Sequence, residues 1–205
     1  MPKTAKDETV RGRIMAAAMS AFMEQGYTGT STLRIATRAK VSKREIYAEF
    51  GSKQAVLAAC IAERSQRTAV LSSELPPART REELAGALAA VGKVLLRRIS
   101  DPIVIAVFRL AIAEAIHAPE VATTLNQFGR QAARTSISRV VREAQEAGLL
   151  GAGNPEELAD LFLALIWKGL LLDLILGVAA GPDEAEIDRR AQTATGEFLI
   201  LHPAP

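Results

Sequence analysis

The stretch that decides the fold is Thr30-Ser31-Thr32-Leu33-Arg34-Ile35-Ala36-Thr37-Arg38-Ala39-Lys40-Val41-Ser42-Lys43-Arg44-Glu45-Ile46-Tyr47-Ala48-Glu49-Phe50-Gly51. Thr30 and Ser31 are capping residues, whose side-chain oxygens accept from the unpaired N–H groups of a first helical turn. Leu33, Ile35, Ala36 and Ala39 continue that helix until Lys40-Val41-Ser42 breaks it. Ser42-Lys43-Arg44-Glu45 then fits a capping box, with Ser at the cap and Glu three residues on. The helix it opens carries Ile46, Tyr47 and Phe50 and stops at Gly51. Two short helices joined by a tight turn, the second freshly capped and basic at its front, predict a helix-turn-helix. Such a second helix fits the major groove of DNA with its first residues at the base edges. Hydroxyls and helix N-termini donate to the phosphates.

On the N-terminal side, Ile14, Ala18, Ala21 and Phe22 recur at helical spacing and predict a helix over Val10–Gln25. Asp7 and Glu8 near its start complement the helix dipole. Gly26 is its expected left-handed stop, with Tyr27 folding back on the helix. On the other side, Ser52 caps a fourth helix to about Leu71, with Val56, Leu57, Cys60 and Ile61 inward. Residues 72–78 read as a linker because Pro76-Pro77 ends any helix.

Only helices follow: about Thr80–Arg98, then Asp101-Pro102 to about Ile116, then one run from Ala118-Pro119 to Gly148. That run has the stripe Val121, Leu125, Phe128, Ala132, Ile137, Val140, Val141 and Ala144. Asn154-Pro155 opens another, read as a single helix to Gly177, and the last follows Gly181-Pro182-Asp183. The Asn154–Gly177 segment is apolar on every face, with Leu158, Leu161, Leu165, Leu172 and Leu176 on one and Leu163, Ile166, Leu170 and Leu174 on another. Such a helix must be covered all round. One side is expected to face the core and the other, with the last helix, a second subunit; the central helix of a monomeric bundle is the alternative.

Composition agrees with an all-α protein. Of 205 residues, 49% are apolar and only six Phe, two Tyr and one Trp are aromatic, while Ala and Leu dominate; strands favour aromatic and β-branched residues. Residues 1–50 hold nine Lys/Arg against five acids, and the remainder 16 bases against 18 acids. A basic block on a near-neutral body suggests a nucleic-acid-binding head. The single cysteine, Cys60, excludes an intramolecular disulfide and a cysteine-built zinc site. His117 and His202 are 85 residues apart in unlike contexts, so no catalytic or metal constellation converges. The expectation is no enzyme, no metal and no cofactor. The polar start has no signal-peptide core, and Lys168 and Asp173 interrupt the greasiest stretch. A cytoplasmic protein without membrane partners is expected.

The segment Phe22-x-x-x-Gly26-Tyr27-x-x-Thr30-Ser31-x-x-x-Ile35-Ala36, followed by Ala39-x-Val41-Ser42-Lys43-x-x-Ile46-Tyr47-x-x-Phe50-x-Ser52-Lys53-x-x-Val56-Leu57, resembles the DNA-binding domain of the TetR family of bacterial transcriptional regulators. The stretches Arg109–Ala115 and Glu184–Arg190 are similar to its AefR-like branch. The resemblance implies a homodimer, a three-helix head over 1–52, a helical ligand-binding and dimerisation domain over 53–205, and repression of a palindromic operator relieved by a small molecule. It makes Thr30 and Ser31 the cap and phosphate contacts of the second helix. Ser42, Lys43 and Arg44 become the front of the recognition helix, and Tyr47 and Lys53 phosphate contacts. Val41, Ile46 and Phe50 become head-core positions.

Two residues depart from the pattern: Lys40 stands where the family often has Gly, and Glu45 where it often has Thr or Ser. Glu45 reads either as the capping-box acid or as an acceptor for a cytosine amino group. Tyr47 reads as a phosphate contact or as head core. In the body, Phe108, Phe128, Phe162 and Trp167 are candidates to line an apolar effector pocket, and Asn126, Gln127, Arg130 and Lys168 to orient a polar end. Ordinary core is the alternative for each aromatic. The competing reading of the whole chain is a helical interaction or scaffold protein without DNA binding.

Overall fold

The computed structural model describes residues 9–73 and 76–205, with side chains described outside 64–75. Asp7 and Glu8, and Glu74 and Leu75 of the expected linker, lie outside the described residues. Within these the chain is all-helical: α1 (Val10–Gly29), α2 (Thr32–Ala39), α3 (Lys43–Phe50), α4 (Lys53–Ser73), α5 (Arg81–Ile99), α6 (Pro102–Ala113), α7 (Pro119–Leu125), a π-helical segment (Asn126–Arg130), α8 (Gln131–Glu146), α9 (Pro155–Trp167), α10 (Leu170–Leu176) and α11 (Glu184–Leu201). No described helix is long and apolar enough to cross a membrane.

The chain divides into two compact units. One comprises Met1–Arg64 with Ala106–Gly129, the other Ser65–Ile105 with Arg130–Pro205. The expected boundary at 52 therefore falls inside the first unit, because Val56, Leu57, Cys60 and Ile61 of α4 are buried in the same core as Ile14, Ala18, Phe22, Ile35 and Ile46. Val107, Leu110 and Val121 from α6 and α7 complete that core.

In the first unit Thr9 caps α1 by accepting from the Gly12 N–H. Gly26, at φ 75°, breaks the helix where a left-handed stop is expected. Tyr27 folds back with its ring centroid 5.4 Å from that of Phe22. Of the residues that continue α2, Ile35, Ala36 and Ala39 are buried and Leu33 is 60% exposed.

In the second unit α5, the first turn of α6, α8, α9, α10 and α11 share one core. Its centre is Leu84, Leu88, Leu96, Ile137, Ala159, Phe162, Ala191 and Phe198. Gly92 lets α5 approach closely: a Cβ there would meet Ile166 Cδ1 and lie 3.4 Å from Ala191 Cβ.

Two predicted helices are interrupted. The Ala118–Gly148 run contains the π segment, where the ladder takes an i→i+5 step. Buried residues accordingly pass from the half-buried Phe128 to Ala133, Ile137 and Val141, so Ala133 rather than Ala132 faces inward. The Asn154–Gly177 segment is two helices, not one. Lys168 (φ 34°, ψ 46°) and Gly169 (φ 90°, ψ −23°) are both left-handed and reset the chain direction. After this break Leu170 and Leu174 are buried, while Leu172 and Leu176 are 58% and 64% exposed.

Candidate nucleic-acid interface

The surface at α2 and α3 is built by local capping. The Ser31 side chain accepts from Arg34 N–H at 3.2 Å and starts α2. Lys40 ends it in the left-handed region (φ 54°, ψ 48°), and Val41 N–H donates to Ala36 O at 3.0 Å. Ser42 and Glu45 form the full capping box. Glu45 N–H donates to Ser42 Oγ (3.1 Å), and Glu45 Oε2 accepts from Ser42 N–H (2.7 Å) and Ser42 O–H (2.8 Å). Ile46 anchors α3 to the core, and Gly51, at φ 78°, closes it. Lys43, Arg44 and Tyr47 then stand on the outer side, with Tyr47 49% exposed.

The neighbouring acids are engaged. The Ser42 backbone N–H and hydroxyl hold the Glu45 carboxyl below the usual carboxylate range. Glu24 is likewise lowered, first by the Arg38 guanidinium, which donates to it twice at 2.7 Å, and then by Ser20. Glu49 pairs at 3.0 Å with Arg11, whose guanidinium carbon lies 4.6 Å from the Phe50 ring centroid. Among the described residues, Arg34, Lys40, Lys43 and Arg44 have no carboxylate within ion-pair distance. The face is therefore electropositive in effect, as a phosphate backbone requires.

Not all the expected contacts point outward. Thr30 is 1% exposed, and its hydroxyl is directed at Ala21 O (3.0 Å) and Gly26 O (2.7 Å). Its side chain fastens α2 to α1 and has no path to a phosphate. The single hydroxyl proton of Ser42 goes to Glu45. The Lys53 ammonium donates to Tyr27 O (2.8 Å) and Thr30 O (3.0 Å) and lies 4.2 Å from the Tyr27 ring centroid. One of its three N–H bonds is left for an outside acceptor. Burial lowers its pKa. Sequence reasoning passed over Arg34, exposed on α2, although its charge and its place three residues after the cap were visible.

The expected effector residues divide between the units. In the first, Phe108 and Phe128 are half-buried, and Asn126 and Gln127 are exposed on the π segment. In the second, Arg130 is exposed, while Phe162 is fully buried and packs edge-on against Phe198 at 5.3 Å. Phe162 is thus a core residue rather than a cavity wall. Lys168 pairs with Glu197 at 2.7 Å. Trp167 is half-buried, and its indole N–H finds no acceptor among the described residues. A small depression of about 10 Å³ in this unit is lined by Pro76, Ala78, Leu84, Ala87, Arg139, Val140, Glu143 and Ala144, none of them an expected contact.

Comparison with known proteins agrees along the chain. Residues 14–60 match the family model described as bacterial regulatory proteins, tetR family. Residues 86–201 match the AefR-like transcriptional repressor, C-terminal domain. The uncharacterized HTH-type transcriptional regulator YvkB of Bacillus subtilis (strain 168) is 25% identical over 178 residues, 86% of this chain and 90% of YvkB. The flavonoid-responsive regulator FrrA superposes with a TM-score of 0.78 at 27% identity, over 95% of this chain and 97% of that one. A TetR family regulator from Pseudomonas syringae pv. tomato str. DC3000 superposes with a TM-score of 0.69 at 28% identity, over 98% and 100%. The N-terminal helix-turn-helix, the helices that follow it in the chain and these matches make the chain a member of the TetR family of DNA-binding transcriptional regulators, with a C-terminal domain of the AefR-like repressor type.

Proposed function

We propose that this protein works in the cytoplasm as a homodimeric repressor that holds a palindromic operator and leaves it when a small, mostly apolar molecule binds. The observation that carries the DNA reading is the exposed front of α3. Lys43, Arg44 and Tyr47 stand outward there while the nearby acids are paired or capped. In this reading Lys43 and Arg44 meet base edges or phosphates. Tyr47, Ser31 and the remaining N–H of Lys53 hold the backbone. Thr30 and Ser42 act by fixing the two helices, not by side-chain contact.

Dimerisation is supported by apolar surface in the second unit. Leu172, Leu176, Val178, Ile200 and Leu201 are 58–81% exposed, and open space surrounds Gly196 on α11. A stable interface of this kind buries upwards of ~2,000 Å² in total. Two-fold symmetry then calls for half-sites spaced by about 34–36 Å or a multiple. Phe108 and Phe128, with Asn126 and Gln127, are the candidate effector contacts in the first unit. FrrA, a relative in fold and sequence, is flavonoid-responsive, so flavonoids are the first compounds to try.

The test is a titration of the chain's own promoter DNA at two salt concentrations. Lys43→Ala and Arg44→Ala should each weaken the preferred sequence by about 1–3 kcal/mol if they read bases. Lys53→Ala should weaken all sequences alike and lower the salt slope by about 1. Wild-type affinity in all three variants would overturn the assignment of this face.

A further inference from the structure

One carboxylate in the first unit has no part in the reading above. Glu114 follows the end of α6 and is only 9% exposed. It faces the turn that joins α1 to α2. Its Oε1 accepts from the Thr28 N–H at 3.0 Å, its Oε2 from the Thr28 hydroxyl, and the Tyr27 N–H is directed at the same carboxylate. These amides are left without helical partners because Gly26 breaks α1 just before them. Gly26 also makes room: a Cβ there would lie 2.7 Å from Glu114 Oε1.

The opposite polarity of the same turn is held by Lys53, which donates to the Tyr27 and Thr30 carbonyls. Glu120, in the first turn of α7, engages the Tyr27 phenol, whose pKa is pushed up to about 12 by burial and then by Glu120 and Glu114. The Thr28 hydroxyl and the turn amides keep the Glu114 carboxyl below its ordinary range despite burial. The segment 26–30 is thus gripped on its N–H side by a carboxylate from after α6 and on its C=O side by an ammonium from α4. It also sets where α2 begins, since Thr30 ties back to α1 and Ser31 caps α2.

We infer that Glu114 is a positioning residue for DNA recognition, which never touches DNA but fixes the α1–α2 turn and so the placement of α2 and α3. This rests on the α2–α3 face being the DNA-binding surface. Glu114 belongs to the span that matches the C-terminal domain model, residues 86–201, yet it grips a turn in the span that matches the N-terminal one, residues 14–60. A displacement of α6 therefore reaches α2 through two side-chain hydrogen-bonding groups, Glu114 and Thr28.

The experiment measures promoter binding by full-length wild type, Glu114→Ala, Thr28→Val, the double variant and Lys43→Ala. Stoichiometric titration first gives the active fraction, so that each Kd refers to folded protein. Hydrogen bonds to a charged group lead us to expect about a tenfold rise in Kd for Glu114→Ala and about threefold for Thr28→Val. The double variant should be no weaker than Glu114→Ala alone, because both remove one interaction. The salt slope should stay at the wild-type value in all three, whereas Lys43→Ala lowers it. Wild-type Kd values for Glu114→Ala and Thr28→Val, or a lower salt slope in either, would overturn the inference. If Glu114→Ala does not fold, Thr28→Val decides alone. Wild-type binding by Lys43→Ala would instead count against the DNA-binding face itself.

Discussion

The unit that carries α1–α3 and the unit that carries α8–α11 solve different problems. In the first, the ends of α2 and α3 are fixed by partners a few residues away: the Ser31 side chain by the Arg34 N–H, the Ser42 side chain by Glu45, and the Gly51 backbone N–H by Tyr47 O. In the second, the core is made of large apolar groups brought from six helices, α5, α6, α8, α9, α10 and α11, and the chain bends wherever their packing requires it. Short-range hydrogen bonding tolerates little change of residue type, whereas apolar packing tolerates changes of register. The second unit accordingly holds the unforeseen break at Lys168–Gly169.

The largest effect that would sharpen this contrast lies at Phe162. Truncation to Ala should cost about 3–5 kcal/mol, since it empties the centre of a close-packed core. Leu172→Glu with Leu176→Glu, on the exposed side of α10, should leave the fold intact and shift sedimentation from dimer to monomer. Equal unfolding by both would show that the exposed leucines are core after all, and a wild-type pair that sediments as a monomer would remove the interface.

A smaller effect separates two glycines of the first unit. Gly26 and Gly51 have nearly the same positive φ, 75° and 78°, but a Cβ would strike Glu114 only at Gly26. Gly51→Ala should cost about 1 kcal/mol for the left-handed conformation alone. Gly26→Ala should cost more, about 2–3 kcal/mol, because it also disturbs a buried hydrogen-bonded carboxylate. Equal losses in denaturant titrations would mean that the carboxylate yields freely.

The smallest effects compare the two left-handed lysines, one in each unit. Lys40→Gly should stabilise by up to ~1 kcal/mol, since glycine adopts this conformation without strain. Lys168→Gly should gain less, because it forfeits the exposed ion pair with Glu197, worth about 0–1 kcal/mol. A loss of stability at position 40 would show that its side chain makes a contact that outweighs the strain.

The sequence was most legible where the structure is most local. The Gly26 stop, the back-folded Tyr27, the Ser42–Glu45 box and the inward Val56, Leu57, Cys60 and Ile61 all follow from spacings of about one helical turn. The π segment left a trace, since the apolar stripe takes a five-residue step from Ala132 to Ile137, and Gly169 within an apolar run marked the second break. Thr30 could not be read correctly, because a cap and a buried tie to the previous helix look the same in sequence. Glu114 lies 86 residues from Thr28 in the chain, and no local pattern connects them.

The close approach of Glu114 to Gly26 also limits how this chain can diverge. A side chain at position 26 and the acid at position 114 can share this site only if the carboxylate shifts off the turn it holds. Loss of the acid leaves the amides of Tyr27 and Thr28 without their acceptor, and gain of a side chain displaces it. The two positions should therefore change together, which ties a turn near the start of the chain to a residue that follows α6.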